Sequence, residues 1–347
     1  MSTVAIGADR DIEWQQDVDL SAASTLGLQC RAERLARVRS LRGLVRALEA
    51  AGQDRVLVLG GGSNLVLPSE LAGVVVQWRN ARVDWHGVGR ERASVYAQAG
   101  ASWDRLVRAC AARNLWGIEN LALIPGTVGA APIQNIGAYG QELADTCEAV
   151  CVWDRRRRAY RELNASECGF RYRDSRFRQQ PERWVVVGLR LQLWRRATAR
   201  LDYPGVADEL EALGLSGRQP ADLVAAITTL RQRKLPDPAR EPNAGSFFYN
   251  PIVSRARAEA LQREFPGLPW HPIEPDQAKL SAAWLIEQSG WRGRFLGPVG
   301  MSERHALVMV RHGPAVQADV LALKVQVEQD VQARFGVRLQ VEPGIVS

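Results

Sequence analysis

The chain has 347 residues, which predicts two or three domains at about 150 residues per domain. An apolar fraction of 46% and a charged fraction of 24% are typical of packed, water-soluble domains and exclude disordered and fibrous classes. The 45 Lys and Arg residues outnumber the 38 Asp and Glu residues, so the formal net charge is +7, which favours anionic partners in general. These charges are spread along the chain, whereas a nucleic-acid footprint is expected to cluster on one element.

The cysteines and the N-terminus indicate the compartment. The five cysteines are odd in number and form no Cys-x-x-Cys pair, which argues against a disulfide framework and fits a reducing environment. Asp9, Arg10, Asp11 and Glu13 interrupt the N-terminus, so the sequence predicts no secretion signal. We therefore expect a cytoplasmic protein. The four histidines lack the spacing of a zinc protease, and no metal site is predicted.

The first predicted elements form a small α/β unit. Apolar residues repeat at helical spacing between Ser40, a typical N-cap, and Gly52, a typical helix stop. A strand over residues 55–60 leads directly into Gly61-Gly62-Ser63-Asn64, and Val74 to Val76 predict a further strand. Because open α/β sheets bind ligands at strand ends, this glycine loop is a candidate ligand site.

A second block begins with a helix and a long loop. Ser102 is the expected cap of a helix that ends near Asn114. The uncharged stretch 121–140 follows. Its prolines and glycines are unsuited to a membrane span, so we expect a buried or ligand-facing loop.

Strands are predicted next over residues 148–153, 159–163 and 184–193. The run Asp154-Arg-Arg-Arg-Arg158 between the first two predicts a solvated hairpin turn, with an anionic contact as the alternative. A domain boundary is expected near residues 195–204.

The C-terminal part has a more helical pattern. One helix is expected after Pro220, which suits a first turn, and two more over residues 281–290 and 315–335. A short strand over residues 337–341 is predicted before the chain ends.

Two glycine-rich loops indicate an anion site. The chain has no Gly-Lys dipeptide of a Walker A loop and no Gly-x-Gly-x-x-Gly fingerprint. Residues 60–64 and 125–131 each offer successive unhindered N–H groups, and two such loops could hold a pyrophosphate between them. The amides that follow, over residues 132–140, suit a planar heterocycle and a phosphate. Ordinary glycine turns, and a polar turn that satisfies its own hydrogen bonds, are the alternatives.

Several long motifs together resemble one family. The chain is similar to the UDP-N-acetylenolpyruvoylglucosamine reductase (MurB) family, in its tyrosine-loop subclass. The match runs from about residue 20 to the end. Its motifs are, in order, Leu59-Gly-Gly-Gly-Ser-Asn-Leu-Val66, Pro125-Gly-Thr-Val-Gly-Ala-Ala-Pro-Ile-Gln-Asn-Ile-Gly-Ala-Tyr-Gly140, Tyr172-Arg-Asp-Ser175, Lys234-Leu-Pro-Asp-Pro238 and Asn243-Ala-Gly-Ser-Phe-Phe248.

The resemblance implies an α+β fold. A two-part FAD-binding domain of the vanillyl-alcohol-oxidase (PCMH) type, built from two α/β subdomains, would cover residues 1–200. An α/β substrate-binding domain would cover residues 201–335, and a C-terminal segment over residues 336–347 would return to the active site.

The function that the resemblance implies is the reduction of UDP-N-acetylglucosamine enolpyruvate to UDP-N-acetylmuramate, in peptidoglycan synthesis. Non-covalent FAD would be the cofactor and NADPH the hydride donor, and we expect a monomer without nucleic-acid or membrane partners. An FAD-dependent oxidase or dehydrogenase of the same fold, acting on a hydroxy acid or sugar, is the first alternative. A basic nucleic-acid-binding protein without redox activity is the second.

The resemblance also implies catalytic roles for Arg173, Ser246 and Glu342. A fixed guanidinium such as Arg173 could stabilise negative charge beside the substrate carboxylate. A carbanion-like centre is basic enough to take a proton from a positioned hydroxyl such as Ser246. Glu342 could orient the carboxylate or relay a proton. The residues alone also allow a surface ion pair, a turn hydroxyl and a surface carboxylate.

The remaining implied site residues bind cofactor or substrate. Lys234, with Arg231 and Arg233, is a candidate diphosphate contact, and a solvated helix end is the alternative. The cofactor contacts would be Gly60, Gly61, Gly62, Ser63, Asn64, Pro125, Gly126, Thr127, Gly129, Ala130, Gln134, Asn135, Gly137 and Ala138, and the nucleotide-sugar or NADPH contacts Tyr139, Tyr203, Lys234, Asn250 and His305.

Overall fold

A computed structural model describes residues 11–196 and 199–347 of the chain. Asp9 and Arg10, on which the expectation of no secretion signal partly rests, lie outside the described residues, as do two positions of the predicted boundary 195–204. The chain divides into two compact units. Unit 1 comprises residues 1–18, 32–61 and 72–233, and unit 2 comprises residues 19–31, 62–71 and 234–347.

Helices form where apolar spacing and a capping side chain coincide. Ser40 accepts from the N–H of Gly43, and the helix that follows ends before Gly52, which has a φ of 57°. Ser102 caps the next helix in the same way. Both predicted helices are confirmed. The helices are α1 (Leu41–Ala51), α2 (Trp103–Ala111), α3 (Arg176–Gln179), α4 (Val206–Ala212), α5 (Pro220–Lys234), α6 (Arg255–Glu264), α7 (Ala282–Gln288) and α8 (Gln317–Phe335).

The strands follow the predicted runs of Val and Leu, and the Asp154–Arg158 stretch is a hairpin turn as expected. The strands are β1 (Ile12–Asp19), β2 (Arg31–Val38), β3 (Val56–Val58), β4 (Leu65–Val66), β5 (Glu70–Trp78), β6 (Val83–Val88), β7 (Arg92–Gln98), β8 (Gly137–Ala138), β9 (Gln141–Glu142), β10 (Cys147–Asp154), β11 (Ala159–Asn164), β12 (Trp184–Trp194), β13 (Asn243–Ser246), β14 (Ile252–Ser254), β15 (Trp270–Glu274), β16 (Gln277–Leu280), β17 (Phe295–Leu296), β18 (Val299–Met301), β19 (Val308–Arg311) and β20 (Gly344–Ile345).

Unit 1 is built on two sheets. The first has the order β1-β2-β5-β3, and the second has the order β11-β10-β12-β7-β6. A core between them combines α1 with residues of both sheets, such as Val76 and Val187. A larger core packs β7, β10 and β12 against α2, the 115–136 loop, α4 and α5. The uncharged stretch 121–140 thus contributes to a packed core, as expected of a buried loop.

Unit 2 has a sheet of the order β13-β19-β18-β17 and a second one of the order β14-β16-β15. The apolar face of α8, which includes Val320, Leu323 and Val327, packs in its core. Leu26, Leu28 and Val66 join this core from far earlier in the chain.

The predicted domains 1–200, 201–335 and 336–347 stay a prediction, and the two compact units divide the chain at other positions. Apolar residues of α4 and α5, such as Leu210 and Ile227, are buried in the core of unit 1, so the compact boundary lies at 233/234 instead of near residue 200. Val337 and Leu339 are buried in unit 2, so the C-terminal segment is part of that unit. Pattern along the chain could not show which core a helix would join.

The predicted strand over residues 337–341 is wrong. Only Val341 makes a ladder contact there, an isolated bridge to Phe248. The regular strand is β20, which pairs in parallel with β4. The apolar residues 337 and 339 are buried by core packing and not by a sheet.

Candidate active site

The two predicted glycine loops meet inside unit 1. A Cβ at Gly61 would lie 2.9 Å from the Cα of Gly126, and one at Gly60 would lie 2.7 Å from Oγ1 of Thr127. No side chain fits at either position without a shift of the opposite loop. Such close backbone approach is what a shared cradle for a pyrophosphate requires.

The N–H groups of the second loop are largely used by the protein itself. Val128 donates to the carbonyl of Ala101 at 2.8 Å, and Gly129 donates to that of Ala99 at 2.9 Å. Ala130 donates to the carbonyl of Thr127. The prediction that residues 125–131 offer an unbroken series of available N–H groups is therefore wrong. The cofactor contacts of Gly129 and Ala130 stay a prediction, but not through these donors.

The rest of the first loop, Gly62 to Asn64, belongs to unit 2. Gly62 has a φ of 61°, and a Cβ there would lie 2.2 Å from the carbonyl oxygen of Ala23, so only glycine fits. The carbonyl of Asn64 accepts from the N–H of Gly344 at 2.9 Å. This loop is thereby tied to the C-terminal segment.

The polar side chain of Asn135 is fully hydrogen-bonded within the protein. It is buried, and its Nδ2 donates to Glu142 at 2.7 Å and to the carbonyl of Arg171 at 3.2 Å. Its Oδ1 accepts from the N–H of Ala144. The side chain thus has a structural role, and the cofactor contact of Asn135 stays a prediction. The neighbouring Gln134 accepts from Nη1 of Arg178 at 3.2 Å.

Arg173 lies at the tip of a tight turn with a φ of 53°, a conformation that costs a non-glycine residue energy and is frequent at functional sites. The turn is closed by two main-chain hydrogen bonds between Arg171 and Asp174. Nη2 of Arg173 donates to the carbonyl of Gly137 at 2.5 Å. Ser175 secures the turn because its hydroxyl donates to the carbonyl of Ile133 at 2.6 Å.

Tyr139 is held in a second strained position. It follows Gly137 and Ala138 in the hairpin of β8 and β9, and its φ of 48° with that of 76° at Gly140 makes a type I′ turn. An aromatic residue is unusual there. Its ring contacts that of Tyr203 edge to face, with centroids 5.0 Å apart. Two of the predicted substrate contacts are thus brought together.

Arg231 is buried beside Arg173 and Tyr139, which the sequence alone did not indicate. Its Nε is buried and has no hydrogen-bond partner within the described parts of the chain. Burial lowers the pKa of Arg231, while nearby Tyr139 raises it and the charge of Arg173 lowers it again. The guanidinium groups of Arg231 and Arg173 and the phenol of Tyr139 lie close together in a partly buried site, which favours the binding of an anion. The available signal was its position one helical turn before Lys234.

In unit 2, Ser246 ends β13 between a turn and a buried aromatic pair. Gly245 before it has a φ of 72°, and its N–H donates to the buried side chain of Asn243 at 2.9 Å. Phe247 after it is buried against Phe248, with ring centroids 5.2 Å apart. The main chain on both sides of the Ser246 hydroxyl is therefore fixed.

Glu342 lies beside Ser246. Its N–H donates to the carbonyl of Phe247 at 3.0 Å, and the N–H of Tyr249 donates to the carbonyl of Gln340 at 2.8 Å. The C-terminal segment thus runs along the main chain that carries Ser246. The main-chain segments that carry two of the three predicted catalytic residues are thus adjacent in unit 2, although these residues are 96 positions apart in sequence.

The remaining predicted substrate contacts of unit 2 are His305, Lys234 and Asn250. Burial lowers the pKa of His305, and the charges of Lys234 and Arg292 lower it further. His305 is therefore partly buried within reach of the charge of Lys234. Asn250 uses its Oδ1 to accept from the N–H of Ala282 at the start of α7, which leaves its amide nitrogen for a ligand.

Within the described ranges, no helix combines the length and the apolar character needed to cross a membrane. In those same ranges, His, Cys, Asp and Glu side chains do not cluster in groups able to hold a metal.

Glycine loops in close contact and a buried cationic cluster define a protein that binds a nucleotide cofactor. A family model described as FAD binding domain matches residues 32–156, so the class is that of FAD-binding proteins and the predicted fold class is confirmed. A second model, described as the C-terminal domain of UDP-N-acetylenolpyruvoylglucosamine reductase, matches residues 237–346. The chain belongs to the UDP-N-acetylenolpyruvoylglucosamine reductase family.

Individual relatives agree over nearly the whole chain. The reductase of Pseudomonas aeruginosa is 42% identical over 336 residues, which cover 96% of this chain and 99% of the relative. The reductase of Azoarcus sp. is 47% identical over 339 residues, which cover 95% and 97%. The solved structure of the reductase from Thermus caldophilus has a TM-score of 0.69 and 26% identity, covering 97% of this chain and 99% of that one. The two alternative functions are not favoured.

Proposed function

We infer that this chain reduces UDP-N-acetylglucosamine enolpyruvate to UDP-N-acetylmuramate with NADPH through bound FAD, in peptidoglycan synthesis. The observation that carries the inference is the fixed guanidinium of Arg173, held at Gly137 beside Tyr139 and Arg231. Enolpyruvate reduction develops negative charge next to a carboxylate, and a preorganised cation is the group that stabilises it.

The residues present fit an FAD. The close approach of Gly60 and Gly61 to Thr127 and Gly126 suits its pyrophosphate, with Gly62, Ser63, Asn64 and Pro125 as further holders of the cofactor. When bound there, FAD would supply the hydride chemistry that links NADPH to the enolpyruvyl group. We propose that Gln134, Gly137 and Ala138 contact the cofactor through their main chain or amide.

The proton is the part of the reaction that the chain supplies. Reduction of the double bond adds one hydride and one proton, so the carbon that bears the carboxylate must be protonated. We propose that the Oγ of Ser246 gives this proton, while Arg173 stabilises the negative charge that precedes it. Glu342, on the adjacent main chain, would orient the carboxylate or return a proton to Ser246.

We also propose which residues contact the substrate. Tyr139, Tyr203 and Arg231 would contact the substrate in unit 1, and Tyr203 would lie on a tyrosine-bearing loop. Lys234, Asn250 and His305 would contact the nucleotide diphosphate or NADPH in unit 2. A lysine side chain close to a partly buried imidazole suits a phosphate. We further propose that the enzyme works as a monomer in the cytoplasm.

The test is a product assay with the purified yellow protein. NADPH oxidation should depend on the enolpyruvyl UDP-sugar, and the product should exceed the substrate by two hydrogen atoms in mass. UDP-N-acetylglucosamine, which lacks the enolpyruvyl group, is the matched control and should support no NADPH oxidation above background. Equal rates with both compounds, or a protein without flavin, would overturn the proposal.

A further inference from the structure

One buried side chain joins the two tyrosine-bearing segments of unit 1. Nδ2 of Asn120 donates to the carbonyl of Tyr139 at 2.9 Å and to that of Arg200 at 3.1 Å. Asn120 is 0% exposed. Since both carbonyls face one amide, the main chain at Arg200 cannot move away from the Tyr139 turn without leaving a buried donor unpaired.

The side chain of Arg200 makes the same connection from the opposite direction. Its Nη1 donates to the carbonyl of Gly140 at 2.6 Å and to Oδ2 of Asp145 at 2.8 Å. Main chain and side chain of Arg200 are thus both bonded to the hairpin of β8 and β9. We name this arrangement of Asn120 and Arg200 the clamp.

The anchor of the clamp is itself rigid. The N–H of Asn120 donates to Oε1 of Gln141 at 3.0 Å, and Nε2 of Gln141 donates to Glu119 at 3.4 Å. The second oxygen of Glu119 accepts from the N–H of Gly117 at 2.6 Å. These hydrogen bonds hold Asn120 with its Nδ2 toward the two carbonyls, while its Oδ1 is buried without a hydrogen-bond partner within the described residues.

Tyr203 lies between the clamp and α4. The residue is 44% exposed, and its ring makes an edge contact to that of Tyr139. Its carbonyl accepts from the N–H of Val206 at 3.2 Å, at the buried start of α4. The clamp is therefore one of two attachments of the segment that carries Tyr203, and it is the one that bonds this segment to the Tyr139 hairpin.

We propose that Asn120 and Arg200 are positioning residues that fix Tyr203 against Tyr139 and so set the affinity for the UDP-sugar. The proposal rests on the proposed function only where it assigns Tyr203 to the substrate. Neither clamp residue touches the reacting atoms. They act through the position of the Tyr203 ring.

The first test compares Arg200→Ala with Arg196→Ala. Arg196 is another exposed arginine nearby, paired with Glu91, and serves as the matched control. Arg200→Ala should raise KM for the enolpyruvyl UDP-sugar by about 3- to 10-fold, as expected for loss of one or two hydrogen bonds, with kcat changed by less than about 2-fold. Arg200→Lys keeps one donor and should recover part of the loss. An unchanged KM in Arg200→Ala, or an equal rise in Arg196→Ala, would overturn the proposal.

A double-variant cycle shows whether Arg200 acts through Tyr203. In a Tyr203→Ala background, Arg200→Ala should raise KM no further, because the ring it positions is gone. Additive effects of the two changes would contradict the clamp. Asn120→Asp is a second variant that breaks the clamp, because its carboxylate would face the carbonyls of Tyr139 and Arg200 in place of a donor. It should raise KM in the same way as Arg200→Ala. If it does not fold, the Arg200 variants decide the matter.

Hydrogen exchange separates this proposal from the proposed function. Amide exchange in residues 199–206 should be faster in Arg200→Ala than in the unchanged protein and in Arg196→Ala, whether or not the enzyme turns over. If the unchanged protein shows no turnover, the proposed function fails while the clamp is judged by exchange alone. Equal exchange in all three proteins would refute the clamp.

Discussion

The guanidinium of Arg173 lies directly against the Cα of Gly137. Nη2 donates to the Gly137 carbonyl at 2.5 Å, and a Cβ at position 137 would lie 2.8 Å from Nη1. Arg173 itself has a φ of 53°. The strained main chain of Arg173 and the missing side chain at Gly137 together position the guanidinium of Arg173. Substitution of Gly137 alone should therefore change the rate of the step that Arg173 assists.

Gly137→Ala should displace the Arg173 guanidinium without removing its charge. A misplacement of about 1 Å can reduce a rate about 10²-fold, so reoxidation of reduced flavin by the enolpyruvyl sugar should slow by roughly that factor. Flavin reduction by NADPH should stay within about 3-fold, as it needs no stabilisation of the enolpyruvyl carbon. Rapid-mixing absorbance measures both steps. Equal slowing of both would mean that Gly137 serves cofactor binding and not Arg173.

Gly61→Ala should weaken flavin retention. The added Cβ would lie 2.9 Å from the Cα of Gly126, so the two loops must separate. Purified Gly61→Ala should carry less flavin per protein, measured as the ratio of flavin to protein absorbance. Gly87→Ala is the control, because a Cβ at Gly87 meets open space. Full flavin in both variants would contradict the placement of the pyrophosphate.

Stability should depend on pH through His305. Burial and the charges of Lys234 and Arg292 hold its pKa below the ordinary value of 6.5. As the pH falls, His305 therefore binds a proton in the unfolded chain before it does so in the folded one. The free energy of unfolding that neutral His305 contributes is complete above pH 6.5 and is lost as the pH falls towards the pKa of His305 in the folded state. Between about pH 7 and pH 5 the Tm of the unchanged protein should fall more steeply than that of His305→Gln. Parallel curves of the two proteins would contradict this prediction.

Local pattern predicted much of this protein. The caps Ser40 and Ser102, the Asp154–Arg158 turn and the strand β12 all depend on residues within one element, and the structure has them. The glycine loops were recognised because close backbone approach requires glycine, whatever the rest of the fold does.

What was missed depends on contacts between distant segments. The N–H groups of Val128 and Gly129 are occupied by residues 99–101, which no local motif reveals. The side chain of Asn135 is used by Glu142 and by main chain on two other segments. Arg231 is buried because α5 packs into the core of unit 1, whereas its sequence context indicated a solvated helix end equally well.

Ser246→Ala should separate the two halves of the reaction. Hydride transfer from NADPH to flavin needs no proton at the enolpyruvyl carbon, so that step should be nearly unchanged. Reoxidation by the enolpyruvyl sugar should slow by about 10² to 10⁴, the usual loss for a general acid. If reoxidation keeps its rate, the proton comes from another group, and Glu342 on the adjacent main chain is the next candidate.

The most direct test of the account follows the flavin of the unchanged enzyme through both half-reactions without oxygen. NADPH should bleach the flavin absorbance, and one equivalent of the enolpyruvyl UDP-sugar should restore it and yield one equivalent of UDP-N-acetylmuramate. UDP-N-acetylglucosamine should leave the flavin reduced. A flavin that NADPH does not reduce, or that stays reduced when the enolpyruvyl sugar is added, would contradict the central claim.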